Sequence, residues 1–139
     1  MNTLLVALAA IAFQGQAVTP VWTWALYEGD GVTLAHEVPD TPRLSATFEC
    51  QPGSSIARLT RYDGVKEASG MVRLSAGSSS AMTEVSAGPR GASVLTVRTD
   101  HPVFAAFVAD GKLNIQAETI EVEPAHLAKL RRFAELCSG

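Results

Sequence analysis

The sequence predicts a mainly β domain: an antiparallel meander of about nine short strands, arranged as a sandwich or a small barrel, with one α-helix at the C-terminus. Three observations lead to this prediction. Apolar and polar residues alternate in several short segments, as in strands that bury one face. Turns rich in glycine, proline and aspartate separate these segments. Near the C-terminus the apolar residues recur every three or four positions instead, as on one face of a helix.

The first seventeen residues are typical of a secretory signal peptide. Residues 4–13 form an unbroken apolar run of ten residues, which is too short to cross a bilayer as a helix. Gly15 and Ala17 supply the small residues that a cleavage site after Ala17 requires. The segment carries no Lys or Arg, so a retained N-terminal helix is the alternative. We therefore expect residues 1–17 to be removed, and residues 18–139 to form a single periplasmic or secreted domain without a membrane span.

The first predicted strands form a hairpin. In residues 21–27 the side chains of Trp22, Trp24 and Leu26 share a face, and a Glu-Gly-Asp-Gly turn leads into a second alternating strand at residues 32–38. The third strand, at residues 43–50, has Leu44, Ala46, Phe48 and Cys50 on one face. Further strands are predicted at residues 56–62, 71–76, 81–87, 94–99, 102–109 and 112–117.

The last predicted hairpin joins residues 103–109 to residues 112–117. Asp110 and Gly111 separate them, and this dipeptide favours a type I′ turn. Residues 104–108 are apolar on both faces, as in a central strand that is covered on each side. The alternation slips after residue 117, which predicts a bulge or a bend near Thr119.

The predicted helix spans residues 124–137. Pro124 suits its first position, and one face carries Leu127, Leu130, Phe133, Ala134 and Cys137. Cys50 and Cys137 are the two cysteines of the chain, and both are expected to point inward. We predict a disulfide between them, as the even number of cysteines in an exported chain indicates.

In this layout the chain resembles small exported bacterial β-domain proteins of unknown function. The shared features are a signal peptide, antiparallel strands and a C-terminal helix tied by a disulfide. The resemblance implies a fold and a compartment, and it implies no catalytic residue.

Charge and motifs restrict the function. The net charge of −3, with eleven scattered Lys and Arg residues, argues against a nucleic-acid partner. The cysteines do not form the Cys-x-x-Cys pair of redox proteins, and the histidines are not at ligand spacings. The sequence therefore predicts no cofactor and no metal.

Two groups of residues are candidate sites. Trp22, Trp24 and Tyr27 suit a platform on which a ligand stacks, although core packing is the alternative for the tryptophans. His101 is a further candidate binding residue, and in the alternative Asp100 and His101 serve a hydrolase if the fold brings a serine to them. The leading hypothesis is an exported domain that binds an envelope component or a protein partner without catalysis.

A third hypothesis is a β-barrel carrier of a small apolar ligand. It requires an internal cavity lined by Trp22, Phe48 and Phe107.

Overall fold

A computed structural model describes residues 19–63 and 70–139. The predicted signal peptide at residues 1–17 lies outside these residues. The strands are β1 (Thr23–Glu28), β2 (Val32–Glu37), β3 (Leu44–Cys50), β4 (Ile56–Arg61), β5 (Gly70–Ala76), β6 (Ser79–Ala87), β7 (Ser93–Arg98), β8 (Lys112–Ile115) and β9 (Glu118–Glu121). The helices are α1 (Pro102–Asp110) and α2 (Leu127–Cys137), and a short 3-10 turn (Pro124–His126) leads into α2.

Within the described part of the chain, the nine strands form one antiparallel, curled half-barrel sheet in the order β1-β2-β3-β4-β7-β6-β5-β8-β9. The mainly β fold with a C-terminal helix is thereby confirmed. The sheet follows the chain as a meander at both ends. In its middle, β4 pairs with β7, and β5 and β6 follow in reverse order.

The strand predicted at residues 102–109 is wrong, because these residues form α1. Pro102 occupies the first turn, and the His101 side chain caps the helix by accepting a hydrogen bond from the N–H of Val103 at 3.1 Å. Gly111 ends the helix in the left-handed conformation, with φ of 78°, which glycine adopts without strain. The Asp-Gly pair is therefore part of a helix end and not a hairpin turn. A short run that is apolar all round fits a buried helix as well as a buried strand.

Of the two alternatives predicted near Thr119, a bend describes the chain and a bulge does not. The chain reverses between β8 and β9, with Gln116 in the turn at φ of 52°, and Leu113 pairs with Ile120. Ile120 is out of phase with Leu113 because it lies on the returning strand. β9 is thus an additional strand, and the strand predicted at residues 102–109 is absent. The total of nine strands therefore equals the predicted number.

The core is filled by aromatic and aliphatic side chains. α1 packs against β5, β6 and β8, and α2 packs against β1 and β2. Phe48 of β3 lies between the two helices, with ring centroids 5.3 Å from Phe107 and 6.2 Å from Phe133. All three rings are fully buried, so the interior at this level is occupied by the protein itself.

The predicted disulfide between Cys50 and Cys137 is confirmed, with the two Cα atoms 5.7 Å apart. It joins the last residue of β3 to the last residue of α2. Hydrogen bonds reinforce the junction: the N–H of Gly53 donates to the Leu136 carbonyl at 3.0 Å, and the N–H of Ser55 donates to the Cys137 carbonyl at 2.8 Å. The C-terminal helix is thus held to the sheet at its end as well as along its apolar face.

Side chains join the two edges of the half-barrel, β1 and β9. The indole N–H of Trp24 donates to the Glu121 carbonyl at 3.1 Å, and Lys129 Nζ of α2 donates to the Trp24 carbonyl at 2.7 Å. Trp24 is only 1% exposed. One buried indole therefore bridges the two edges, and the lysine joins α2 to β1.

Among residues 19–63 and 70–139, no helix is long and apolar enough to span a bilayer.

Candidate functional site

A cleft of about 390 Å³ opens where the first four strands face the β8–β9 hairpin. We call it the mouth cleft. Its apolar wall consists of Trp24, Ala46 and Ile120, and its polar lining consists of His36, Ser45, Arg61, Asp63, Glu118, Thr119 and Glu121. An apolar wall with a few convergent polar groups at the mouth of a barrel is a common setting for a ligand site.

A β-bulge places Ser45 in the mouth cleft. His36 pairs with Ala46, but the next residue of β2, Glu37, pairs with Leu44. Ser45 is thus an extra residue in β3, and a bulge of this kind turns a side chain away from the regular alternation. As a result, Ser45 Oγ lies 2.5 Å from Nδ1 of His36.

The charge of the imidazole follows from the environment of His36. Burial, the largest influence, lowers the pKa of His36 below the ordinary value of 6.5, against the opposing effect of the Glu123 and Asp63 carboxylates. The imidazole is therefore neutral at pH 7. In the tautomer that carries its proton on Nε2, Nδ1 accepts and the Ser45 hydroxyl donates.

Two tryptophans hold the imidazole of His36. Its ring centroid lies 4.8 Å from that of Trp24, its cross-strand partner, and 5.3 Å from that of Trp22, which stacks on it. Trp24 continues the column inward to Phe48, at 6.1 Å. The guanidinium of Arg43 lies over the Trp22 ring, 5.4 Å from its centroid. These contacts form a continuous stack from the core to the surface and fix the orientation of His36.

An ion pair between Arg61 of β4 and Glu118 of β9 bridges the two sides of the mouth cleft. The side chains are only 12% and 22% exposed, so water screens their attraction less than it would at an open surface. The pair links strands that are not neighbours in the sheet, and it positions a guanidinium and a carboxylate beside any ligand in the cleft.

The structure separates the aromatic residues that the sequence singled out. Trp24 belongs to the core and forms the wall of the mouth cleft, and Trp22 lies against His36. Tyr27 is 53% exposed and donates to the carboxylate of Glu37, which raises the pKa of Tyr27. Tyr27 is not among the residues that line the mouth cleft.

Asp100 and His101 have separate partners. Asp100 forms a two-pronged ion pair with Arg98, at 2.9 and 2.8 Å, and this pair lowers the pKa of the carboxyl group. His101 uses Nδ1 to cap α1. The carboxylate therefore does not orient the imidazole as an acid–base couple would require.

The sequence reasoning did not identify Ser45, Arg61 and Glu118 as site residues. A strict alternation places Ser45 away from the core, and only the bulge turns it into the cleft. Arg61 and Glu118 are far apart in the chain, so no local pattern relates them. The sequence did contain a signal for His36. It follows Leu34 by two residues, so alternation places both side chains on the inner face of β2.

Among residues 19–63 and 70–139, no group of three or more His, Cys, Asp or Glu side chains is arranged to hold a metal ion. Comparisons with protein-family models, with curated proteins and with solved structures find no match for this chain.

Proposed function

We propose that the protein is an exported binding domain that recognises an envelope component or a protein partner at the mouth cleft and leaves it chemically unchanged. The observation that carries this proposal is the cleft itself. It combines an apolar wall with an imidazole, a hydroxyl, a guanidinium and carboxylates on one concave surface. Such a surface gives a ligand both apolar contact and oriented hydrogen bonds.

Two features support export. Residues 1–17 have the pattern of a cleaved leader, and the Cys50–Cys137 disulfide is the kind of bond that persists in oxidising compartments. Fusing residues 1–17 to a reporter enzyme tests this part of the proposal. We expect exported reporter, and reporter found only in the cytoplasm would contradict it.

The packing favours a ligand at the mouth over one inside the half-barrel. The carrier hypothesis requires a cavity lined by Trp22, Phe48 and Phe107. Phe48 and Phe107 instead pack against each other and are fully buried. The mouth cleft lies at the rim of the half-barrel, where Thr119 and Glu121 are exposed.

A blocking substitution tests the site. Thr119→Trp places a large ring at the exposed edge of the mouth cleft, and Lys112→Trp makes the same change at an exposed position of the same hairpin that does not line the cleft. Each protein is purified from an exporting bacterial host, and its mass is measured under native and denaturing conditions. We expect a non-covalent adduct or co-purified partner on the wild type and on Lys112→Trp but not on Thr119→Trp. A bare wild-type chain, or an adduct that survives Thr119→Trp, would contradict the proposal.

One observation favours a second candidate function, acyl hydrolysis. The Ser45 hydroxyl lies 2.5 Å from Nδ1 of a half-buried imidazole inside a cleft. With the ring proton on Nε2, this is the arrangement of a serine nucleophile and its base. Ser45 Oγ would attack the carbonyl carbon of an ester while His36 Nδ1 takes the hydroxyl proton and returns it to the departing alcohol. Water would then hydrolyse the acyl-enzyme.

A fluorophosphonate probe decides whether Ser45 is a nucleophile. If it is, intact mass shows one phosphonyl adduct that is lost in Ser45→Ala, reduced in His36→Gln and kept in Ser80→Ala, a control at an exposed serine of β6. A wild-type protein that stays unlabelled would remove this candidate and leave binding alone.

A further inference from the structure

A second depression, of about 400 Å³, adjoins the mouth cleft, because Asp63 lines both. We call it the arginine depression and define it by Trp22, Arg43, Tyr62, Asp63 and Arg90. These residues come from the segment before β1, from the ends of β3 and β4, and from the turn between β6 and β7. Residues distant in sequence thus converge on one concave surface.

The charge of this surface is opposite to that of the whole protein. The net charge of the chain is −3, yet the arginine depression contains two guanidinium groups and one carboxylate. The ion pairs found among the described residues involve Arg61, Arg98 and Arg132, and neither Arg43 nor Arg90 takes part in them. Within the described part of the chain, no carboxylate forms an ion pair with either cation, which leaves both to a ligand.

Arg43 is held in place before any ligand binds. Its guanidinium lies over the ring of Trp22, and Trp22 in turn stacks on His36. A guanidinium can lie against an aromatic ring and still direct its N–H groups at an anion, because the donors are in the plane of the group. Less side-chain freedom is then lost on binding.

The backbone of Arg90 is held in a strained turn. It has φ of 55° and ψ of 33°, a left-handed conformation that a residue with a Cβ rarely adopts. Hydrogen bonds on either side maintain the turn: the N–H of Gly88 donates to the Ala92 carbonyl at 2.7 Å, and the N–H of Ala92 donates to the Pro89 carbonyl at 2.9 Å. Strain of this kind is concentrated at functional sites, and here it accompanies an arginine that lines a depression.

We propose that the arginine depression binds an oxyanion, a carboxylate or phosphate group carried by the ligand of the adjoining mouth cleft. This inference rests on the proposed binding function and adds the chemical class of the ligand. The planar fork of an arginine matches the two oxygens of such a group, and two forks that line one depression make it selective for anions. The ligand is thus an organic acid or a phosphate ester whose remaining part lies in the mouth cleft.

The test uses citrate as the carboxylate probe and pyrophosphate as the phosphate probe, at constant ionic strength set with sodium chloride. Nuclear magnetic resonance follows the Nε–H signals of the arginines, and calorimetry measures the affinity. We expect saturable shifts at Arg43 and Arg90 with at least one probe, at a dissociation constant of about 1 mM or lower. Arg43→Gln or Arg90→Gln should each weaken binding about tenfold. Arg58→Gln and Arg73→Gln, which make the same charge change at other exposed positions, should leave it unchanged.

Each outcome has a defined meaning. Saturation by citrate alone or by pyrophosphate alone supports the inference and identifies the group that is recognised. Failure of both probes to saturate, or an equal loss from the two control variants, overturns it. If the probes fail while Thr119→Trp still removes a native adduct, the anion inference is wrong and the binding function stands. If the probes bind in the depression but no adduct depends on the mouth cleft, the proposed function is wrong and the anion site stands.

Discussion

Replacing both cysteines, in Cys50→Ala/Cys137→Ala, is expected to lower the free energy of unfolding by about 4.6 kcal/mol. The two residues are 87 positions apart, and the chain-entropy relation gives this value at 25 °C for a loop of that length. The loop contains most of the sheet, so the unfolded chain gains much freedom when the bond is absent. For a domain of this size we expect the thermal midpoint to fall by roughly 15 °C.

Urea and thermal denaturation of three samples measure this effect: oxidised wild type, wild type with a reductant, and the double variant. The reduced wild type and the double variant should have similar midpoints, well below that of the oxidised protein. A fall of less than about 3 °C would refute the reasoning. It would mean that the hydrogen bonds from Gly53 and Ser55 to the end of α2 hold the terminus without the covalent bond.

Two further predictions concern one glycine and one histidine. Gly111→Ala should destabilise the protein by about 3 kcal/mol in urea denaturation, because φ is +78° and a Cβ would collide with the Val122 carbonyl. Gly53→Ala is the control, since φ is +73° but the space around it is open. It should lower the free energy of unfolding by only about 1 kcal/mol. The pKa of His36 is lowered from 6.5, so below this value the unfolded chain binds a proton more readily and stability falls as the pH drops towards the lowered pKa. His36→Gln should show a weaker fall over the same pH range, and identical pH profiles would contradict the importance of the neutral Ser45–His36 hydrogen bond.

Most of the fold follows from two periodicities in the sequence. The prediction of secondary structure failed in the segment whose apolar residues follow neither period. Alternation located β3 and the inward side chain of Cys50, and helical spacing located α2 and Cys137, so the disulfide could be predicted from two independent patterns. The segment before Gly111 is apolar at nearly every position and has no period. Its helical state depends on a proline in the first turn, a capping histidine and a C-terminal glycine. The prediction missed these signals because it interpreted the Asp-Gly pair as a hairpin turn.

The candidate site was less predictable, for a physical reason. His36 could be placed beside Trp24 from their alternation across a hairpin. Ser45 could not, because the bulge that turns it inward arises from the pairing of β2 with β3. The contact between Arg61 and Glu118 depends on how far the whole sheet curls. Sites formed by long-range geometry leave little trace in local sequence.

The contacts that Trp24 of β1 makes with β9 and α2 determine when the protein can complete its fold. The indole of Trp24 donates to the carbonyl of Glu121, which is 97 residues later in the chain. The Trp24 carbonyl accepts from Lys129, which is 105 residues later. Contacts of such separation form late and slow the search for the native state. β1 leaves the ribosome before the other described strands, yet it completes its contacts only after the residues that precede and begin α2 have been synthesised. Until then the edge of β1 is open to other chains, which makes the nascent protein vulnerable to aggregation. Under the export that we propose, a chain that is transported unfolded would fold only when whole and would avoid much of that exposure.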